Sequence, residues 1–201
     1  QTYSFNSFSF RKMLSMLRLI TSYSLTISHS PSPHTELLFV LGSVHKLENI
    51  DLTQLIVTEK NARSIGDAYY YHLLKLSEEG DFDCLAHMDY FKKHCAKQNL
   101  PDLYEEYQPT IKKVLENVIR RGKGIEINTA CMGGILEDTM PGLETLRMYK
   151  ELGGRIITVG SDSHRPERIG YGFDRVYQML KEAGFDSISV YKNRKNIQQP
   201  I

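Results

Sequence analysis

Leu37-Leu38-Phe39-Val40-Leu41-Gly42-Ser43-Val44-His45 decides how the rest of the chain is read. Its opening run is continuously apolar up to Gly42, the pattern of a strand buried on both faces. Such strands belong to parallel sheets covered by helices. A histidine follows where the apolar run stops. Parallel α/β folds place their chemistry at the carboxyl ends of the strands.

The same unit returns downstream. Phe82 to Met88 reads as a second short strand carrying Cys84-Leu85-Ala86-His87. Gly124-Ile125-Glu126-Ile127-Asn128 is a third, and Arg155-Ile156-Ile157-Thr158-Val159-Gly160 a fourth. Helices fill the intervals. From Thr58 to Glu79, Ala62, Ile65, Ala68, Tyr69, Leu73 and Leu76 recur at helical spacing, and Gly80 stops the run. Pro109 is expected to open the next helix, whose apolar face holds Ile111, Val114, Leu115 and Val118 and which ends at Gly122. Pro141 to Leu152 is a third helix, closed by Gly153-Gly154. Phe173 to Ala183 is a fourth, stopped by Gly184, and Ser187 to Tyr191 a last strand. His45, His87, Glu126 and Asp162 recur at intervals of roughly 35–45 residues, the size of one unit of a padded (β/α) barrel. The alternation predicts a parallel sheet with helical crossovers.

Composition narrows the function classes. The 201 residues carry 25 Lys plus Arg against 24 Asp plus Glu, a net charge of +1. That balance argues against a nucleic-acid binder, which shows a clear basic excess. No apolar run is long enough for a membrane span. The three cysteines, Cys84, Cys95 and Cys131, lack C-x-x-C spacing, so a disulfide scaffold is excluded and a reducing, cytoplasmic setting is expected. Cys84 and Cys131 read as core residues.

Residues 1–35 differ from the rest. They are serine-rich, hold Arg11, Lys12 and Arg18, and contain no acid. Their composition resembles a transit peptide; a cloning boundary or a mis-set gene start reads equally well. Ser28-His29-Ser30-Pro31-Ser32-Pro33 reads as extended linker. The expected organisation is a poorly ordered leader or linker over 1–35 and one domain over 36–201.

The candidate site is His45, His87, Asp162 and His164. Three imidazoles and a carboxylate suit Zn, Mn or Fe. In Gly160-Ser161-Asp162-Ser163-His164-Arg165 the D-x-H spacing puts both side chains on one side of an extended segment. A lone strand-end histidine is more often structural; four such groups at equivalent places in successive units point to a metal. Arg165 is a candidate grip on a phosphate, or a surface salt-bridge residue. Glu126 lies inside an apolar strand, where a carboxylate must be paired or face a polar cavity; ligand, substrate contact and buried ion-pair partner stay open, with the site rim favoured. His29, His34, His72 and His94 read as bland, and Tyr69-Tyr70-Tyr71 as a packing face.

Val40-Leu41-Gly42-Ser43-Val44-His45, Asp83-Cys84-Leu85-Ala86-His87-Met88-Asp89, Gly124-Ile125-Glu126-Ile127-Asn128-Thr129 and Gly160-Ser161-Asp162-Ser163-His164-Arg165-Pro166 together resemble the PHP superfamily of metal-dependent phosphoesterases, most of all its histidinol-phosphatase branch. The resemblance runs from about Leu37 to Ile188. It implies a distorted (β/α)7 barrel with a trinuclear metal centre that hydrolyses L-histidinol phosphate in histidine biosynthesis. On that resemblance His45, His87, Asp162 and His164 match metal ligands, and metal-assisted attack on a small phosphate ester is the implied reaction. The family's amino-terminal H-x-H motif, its next strand-end histidine and its bridging glutamate have no counterpart ahead of the Gly42-Ser43-Val44-His45 segment. The expected fold is therefore an incomplete barrel lacking the first strands, with open edges that invite homo-oligomers. Two readings follow: a histidinol-phosphatase represented by an incomplete chain, or a catalytically silent remnant that acts through binding or self-association.

Overall fold

The computed structural model describes residues 24–29 and 37–201. Its main sheet has five strands in the order β1 (Ser24–His29), β2 (Leu37–Ser43), β5 (Cys84–Leu85), β6 (Gly124–Asn128) and β7 (Ile157–Gly160). β2, β5, β6 and β7 run parallel, Leu41 opposite Cys84, Leu85 opposite Ile125 and Glu126 opposite Thr158. β1 lies antiparallel along β2, with Ile27 opposite Val40. From β1 to β7 the spatial order follows the chain order, so these strands show no point where the winding reverses. All four polar strand-end segments consequently open toward one end of the sheet.

Helices pack the parallel strands. α1 (Ala62–Glu79) follows the small hairpin of β3 (Lys46–Leu47) and β4 (Ile50–Asp51). α2 (Phe91–Ala96) and α3 (Tyr104–Arg120) lie between β5 and β6, α4 (Leu143–Glu151) between β6 and β7, and α5 (Phe173–Glu182) after β7. Val40, Leu85, Ile125, Ile127 and Ile157 from the sheet are buried with Tyr69, Leu73 and Leu76 of α1, Val114, Leu115 and Val118 of α3, Leu146 and Tyr149 of α4, and Val176 and Leu180 of α5. These are the residues whose spacing in the sequence marks helix and strand, and their removal from water drives the assembly. Cys84, Cys95 and Cys131 are free and buried. At Gly124 an added Cβ would stand 2.7 Å from both the Ile156 carbonyl oxygen and Cys84 Sγ, so only glycine lets β5, β6 and β7 close up there.

Several elements depart from the sequence reading. The second strand is confined to Cys84–Leu85, because the chain turns at His87 (φ 27°) and the Tyr90 amide bonds back to the His87 carbonyl. Pro109 does not open α3 but lies inside it; the helix starts at Tyr104, with Glu105 and Glu106 in its positive first turn and the Tyr104 amide bonded to Asp102. At the sixth helical position Pro109 removes one amide that could have bonded the Glu105 carbonyl, a loss confined to the amino-terminal turns. α2 was not expected. The last strand, β8 (Ser187–Lys192), pairs antiparallel with β9 (Lys195–Pro200) in a separate hairpin outside the ladder of the parallel sheet, which it touches through the Tyr191 hydroxyl, donating to the Asp83 carbonyl at 3.4 Å. Arg194 at its tip clamps the hairpin to the main body, binding Asp81 and Asp83 with its guanidinium and the Leu38 carbonyl with its amide. β1 falls within the stretch read as leader or linker. The alternation of Leu25 and Ile27 with Ser24, Thr26 and Ser28 is the signal that marks it as a strand. The other residues of that stretch, His34 among them, lie outside the described residues.

Candidate metal centre

His45 lies just beyond β2, fixed by the bond from the Leu52 amide to its carbonyl. His87 lies just beyond β5, on the neighbouring strand. The two register-matched strands bring the imidazoles together: Nε2 of His45 and Nε2 of His87 are 3.1 Å apart and the ring centroids 5.0 Å. Two nitrogens held by one zinc at about 2.0–2.1 Å in tetrahedral or octahedral array stand roughly 2.8–3.4 Å apart. The pair therefore has the separation of two neighbouring ligands on one cation. Burial pushes His87 down to about 3, helped by His45, and also lowers His45, against which the Asp162 charge acts. Both rings are thus neutral near pH 7, the form in which imidazole offers a lone pair. Nδ1 of His87 is buried without a partner.

Glu126 is buried in β6 between these histidines and the β7 loop. Its carboxylate accepts hydrogen bonds from Asn128 Nδ2 at 3.2 Å and from the His87 amide. Burial, with the nearby Asp162 charge adding to it, raises it to about 7 against the lowering effect of the Asn128 hydrogen bond. A Cβ on Gly160 of β7 would collide with its Oε1, so the glycine leaves room for the carboxylate.

Asp162 and His164 come from the loop after β7, Asp162 in a left-handed conformation (φ 43°). Both are exposed, as is Arg165, whose guanidinium has no partner among the described residues. Ser163 Oγ caps the loop by donating to the Arg165 carbonyl at 2.5 Å. Asp162 reaches the centre through its charge. Among the described residues no three or more His, Cys, Asp or Glu side chains stand close enough to hold a metal ion. The structure thus assembles the His45–His87 pair and leaves Asp162 and His164 exposed on the loop after β7, outside it.

Three residues of the neighbourhood were not among the expected site residues. Tyr90 stacks on His45 (centroids 5.3 Å, 6° between planes) and leans on His87 at 4.8 Å. His94, read as bland, is buried in a T-shaped contact with Tyr90 at 5.0 Å with Nε2 unpartnered, and burial lowers it to about 4. Lys93 lies over the Tyr90 ring at 4.8 Å. The dense polar run Asp89-Tyr90-Phe91-Lys92-Lys93-His94 directly after a strand-end histidine is the signal that could have found them. Beside it, Lys92 is buried between Asp89 at 2.8 Å and Asp138 at 3.2 Å and donates to the Thr139 carbonyl at 2.6 Å. That triad ties α2 to the segment before α4.

Among known proteins, the profile of the PHP domain matches residues 21–130. A "Probable histidinol-phosphatase" of Clostridium acetobutylicum is 31% identical over 154 residues, which cover 75% of this chain and 59% of the relative. A protein of the same name from Thermotoga maritima is 33% identical over 124 residues, 61% of this chain and 50% of the relative. The chain thus spans between half and three fifths of the length of these relatives. The crystal structure of histidinol phosphate phosphatase from Lactococcus lactis, complexed with zinc, L-histidinol and phosphate, superposes with a TM-score of 0.69 at 19% identity, covering 96% of this chain and 69% of that one. This likeness concerns the fold.

Proposed function

Because the chain belongs to the PHP domain family, we propose that it is a divalent-metal-dependent phosphomonoesterase whose substrate is L-histidinol phosphate. The observation that carries the reading is the His45–His87 pair, two neutral imidazoles with Nε2 atoms 3.1 Å apart beyond adjacent parallel strands. Asp162 and His164, on the loop after β7, are the further ligands. Support for zinc, manganese or iron comes from this nitrogen and oxygen donor set and from the zinc in the Lactococcus structure. We read the five-stranded sheet as the wall of an incomplete, distorted (β/α)7 barrel, because its strands follow chain order.

When bound, divalent metal supplies Lewis-acid polarisation of the phosphoryl oxygens and a nucleophile from water near neutral pH. The protein's own groups do the rest. Desolvation keeps both imidazoles unprotonated and able to bind the cation. Glu126, anchored by Asn128 and the His87 amide, holds the His87 turn against β6 and offers an acceptor to the amino and hydroxyl groups of the substrate. Arg165, exposed on the β7 loop, is free to swing onto a phosphate oxygen and offset charge as the ester bond breaks.

The test is phosphate release from L-histidinol phosphate by purified protein with zinc or manganese, alongside His87→Ala. Turnover by the parent, reduced at least about a hundredfold in the variant, supports the reading. Folded protein without turnover overturns it in favour of a member that acts through binding or self-association.

A further inference from the structure

Bordered by α1, α2 and the amino ends of α3 and α4 lies a cavity of about 400 Å³. Small-molecule sites occupy roughly 300–1,000 Å³. Phe91, Leu103, Leu143 and the rings of Tyr70 and Tyr104 line part of it, and carboxylates border the rest. None of His45, His87, Glu126 and Asp162 borders it, so it is separate from the paired imidazoles.

Two buried polar groups at this cavity have nothing to bind. Tyr70 is 4% exposed; its ring stacks on Tyr107 and meets Tyr69 edge-on, yet its hydroxyl makes no hydrogen bond among the described residues. Neighbouring Tyr69 instead donates to the Met88 carbonyl, as a buried phenol usually does. Asp89, equally buried, gives one carboxylate oxygen to Lys92 and leaves Oδ1 without a partner. Buried polar side chains are nearly always paired, so a bare hydroxyl in the wall of a cavity points to a ligand.

The charges select its class. Asp89, Asp102, Glu105, Asp138 and Glu144 border the cavity, against Lys92 as the sole cation among the described residues. Lys92 directs its three N–H groups at Asp89, Asp138 and the Thr139 carbonyl, which leaves no donor for an anion. Glu105 and Glu144 stand in the first turns of α3 and α4, where the helix dipole favours a carboxylate. The dipole accounts for those two acids and not for the bare phenol. Among the described residues no three of these carboxylates are close enough to hold a metal ion. Acids spread around a cavity this wide, with aromatic walls, fit a larger cation whose charge is carried on an organic body.

We propose that this cavity binds a small organic ammonium compound, its N–H groups donating to the Tyr70 hydroxyl oxygen and Asp89 Oδ1 and its apolar part lying against Tyr104 and Leu143. The chain that lines it also serves the metal pair: Asp89, Phe91 and Lys92 border the cavity, while Tyr90 contacts both imidazoles.

Benzylamine, a cation at neutral pH, and benzyl alcohol, its uncharged counterpart, are the probes, each titrated into the full chain and followed by amide NMR. Benzylamine should bind at about millimolar strength, the scale of a fragment of its size, and shift the amides of residues 89–92, 103–105 and 142–145. Benzyl alcohol should bind at least about tenfold more weakly. Tyr70→Phe keeps the ring and, since the hydroxyl has no partner, the fold; it should weaken benzylamine about two- to tenfold, the worth of one hydrogen bond. Glu105→Gln/Glu144→Gln, altered only at exposed positions, should weaken it about two- to fivefold. His45→Ala/His87→Ala should bind it like the parent. No saturable binding, equal affinity for the two probes, shifts confined to residues away from the cavity, loss of binding in His45→Ala/His87→Ala, or affinity unchanged in both the Tyr70 and the double glutamate variants would overturn the proposal.

Discussion

Tyr90 lies parallel to the His45 ring, 6° from coplanar at 5.3 Å, and meets His87 at 4.8 Å. One aromatic side chain thereby limits the rotation of both imidazoles whose nitrogens face each other. Its amide, bonded to the His87 carbonyl, ties it to the turn that carries the second histidine. Groups that orient ligands commonly govern metal affinity about ten- to a hundredfold. Tyr90→Ala should therefore weaken zinc binding by about that factor, whereas Tyr90→Phe, which keeps the ring, should bind like the parent. Competition with a chromophoric chelator measures both.

Lys92 is buried with two carboxylates, and Asp89 is the more deeply buried of them, with Oδ1 unpartnered. Removing the ammonium strands that acid in a medium that penalises its charge. Lys92→Met should cost about 3–5 kcal/mol in urea unfolding, against about 1 kcal/mol for Asp138→Asn, whose carboxylate is half exposed.

Gly124→Ala probes a close approach of strands within the sheet. The added methyl meets a carbonyl oxygen and a buried sulfur, neither at the end of a flexible side chain. The strands must separate locally, and a loss of about 1–3 kcal/mol is expected in denaturant unfolding. Gly122, with φ 64° and open space around its Cβ position, should lose about 1 kcal/mol on the same change, from backbone strain alone.

Arg194 gives the chain a pH-dependent clamp. Its hydrogen bond holds the Asp81 carboxyl below the usual value. A carboxyl with a depressed folded-state value adds stability above its unfolded value, near 4, and that contribution fades as pH falls through the folded value. The stability gap between parent and Arg194→Met should thus be largest at neutral pH and shrink below about pH 4. Thermal unfolding across that range measures it.

How far the sequence carried the fold follows from where its signals are strong. The strand cores and the apolar faces of α1, α3 and α5 could be read because each must bury one stripe, which fixes the period. Boundaries failed where a local bond overrode propensity, as at the His87 turn and at the start of α3. The final hairpin failed because strand patterning says nothing about which sheet a strand joins. In the site, the strand-end rule located His45 and His87, since adjacent parallel strands in register must end side by side. Tyr90, Lys93 and His94 escaped because α2 is too short to show a period, and its polar face looks solvated until the strands are placed beneath it.

Calorimetric titration of zinc into the parent and into the His45→Ala/His87→Ala double variant tests the paired imidazoles most directly. Tight uptake by the parent that falls at least about a hundredfold in the double variant, with the fold retained, is the predicted result. Equal affinity in the two proteins would contradict it.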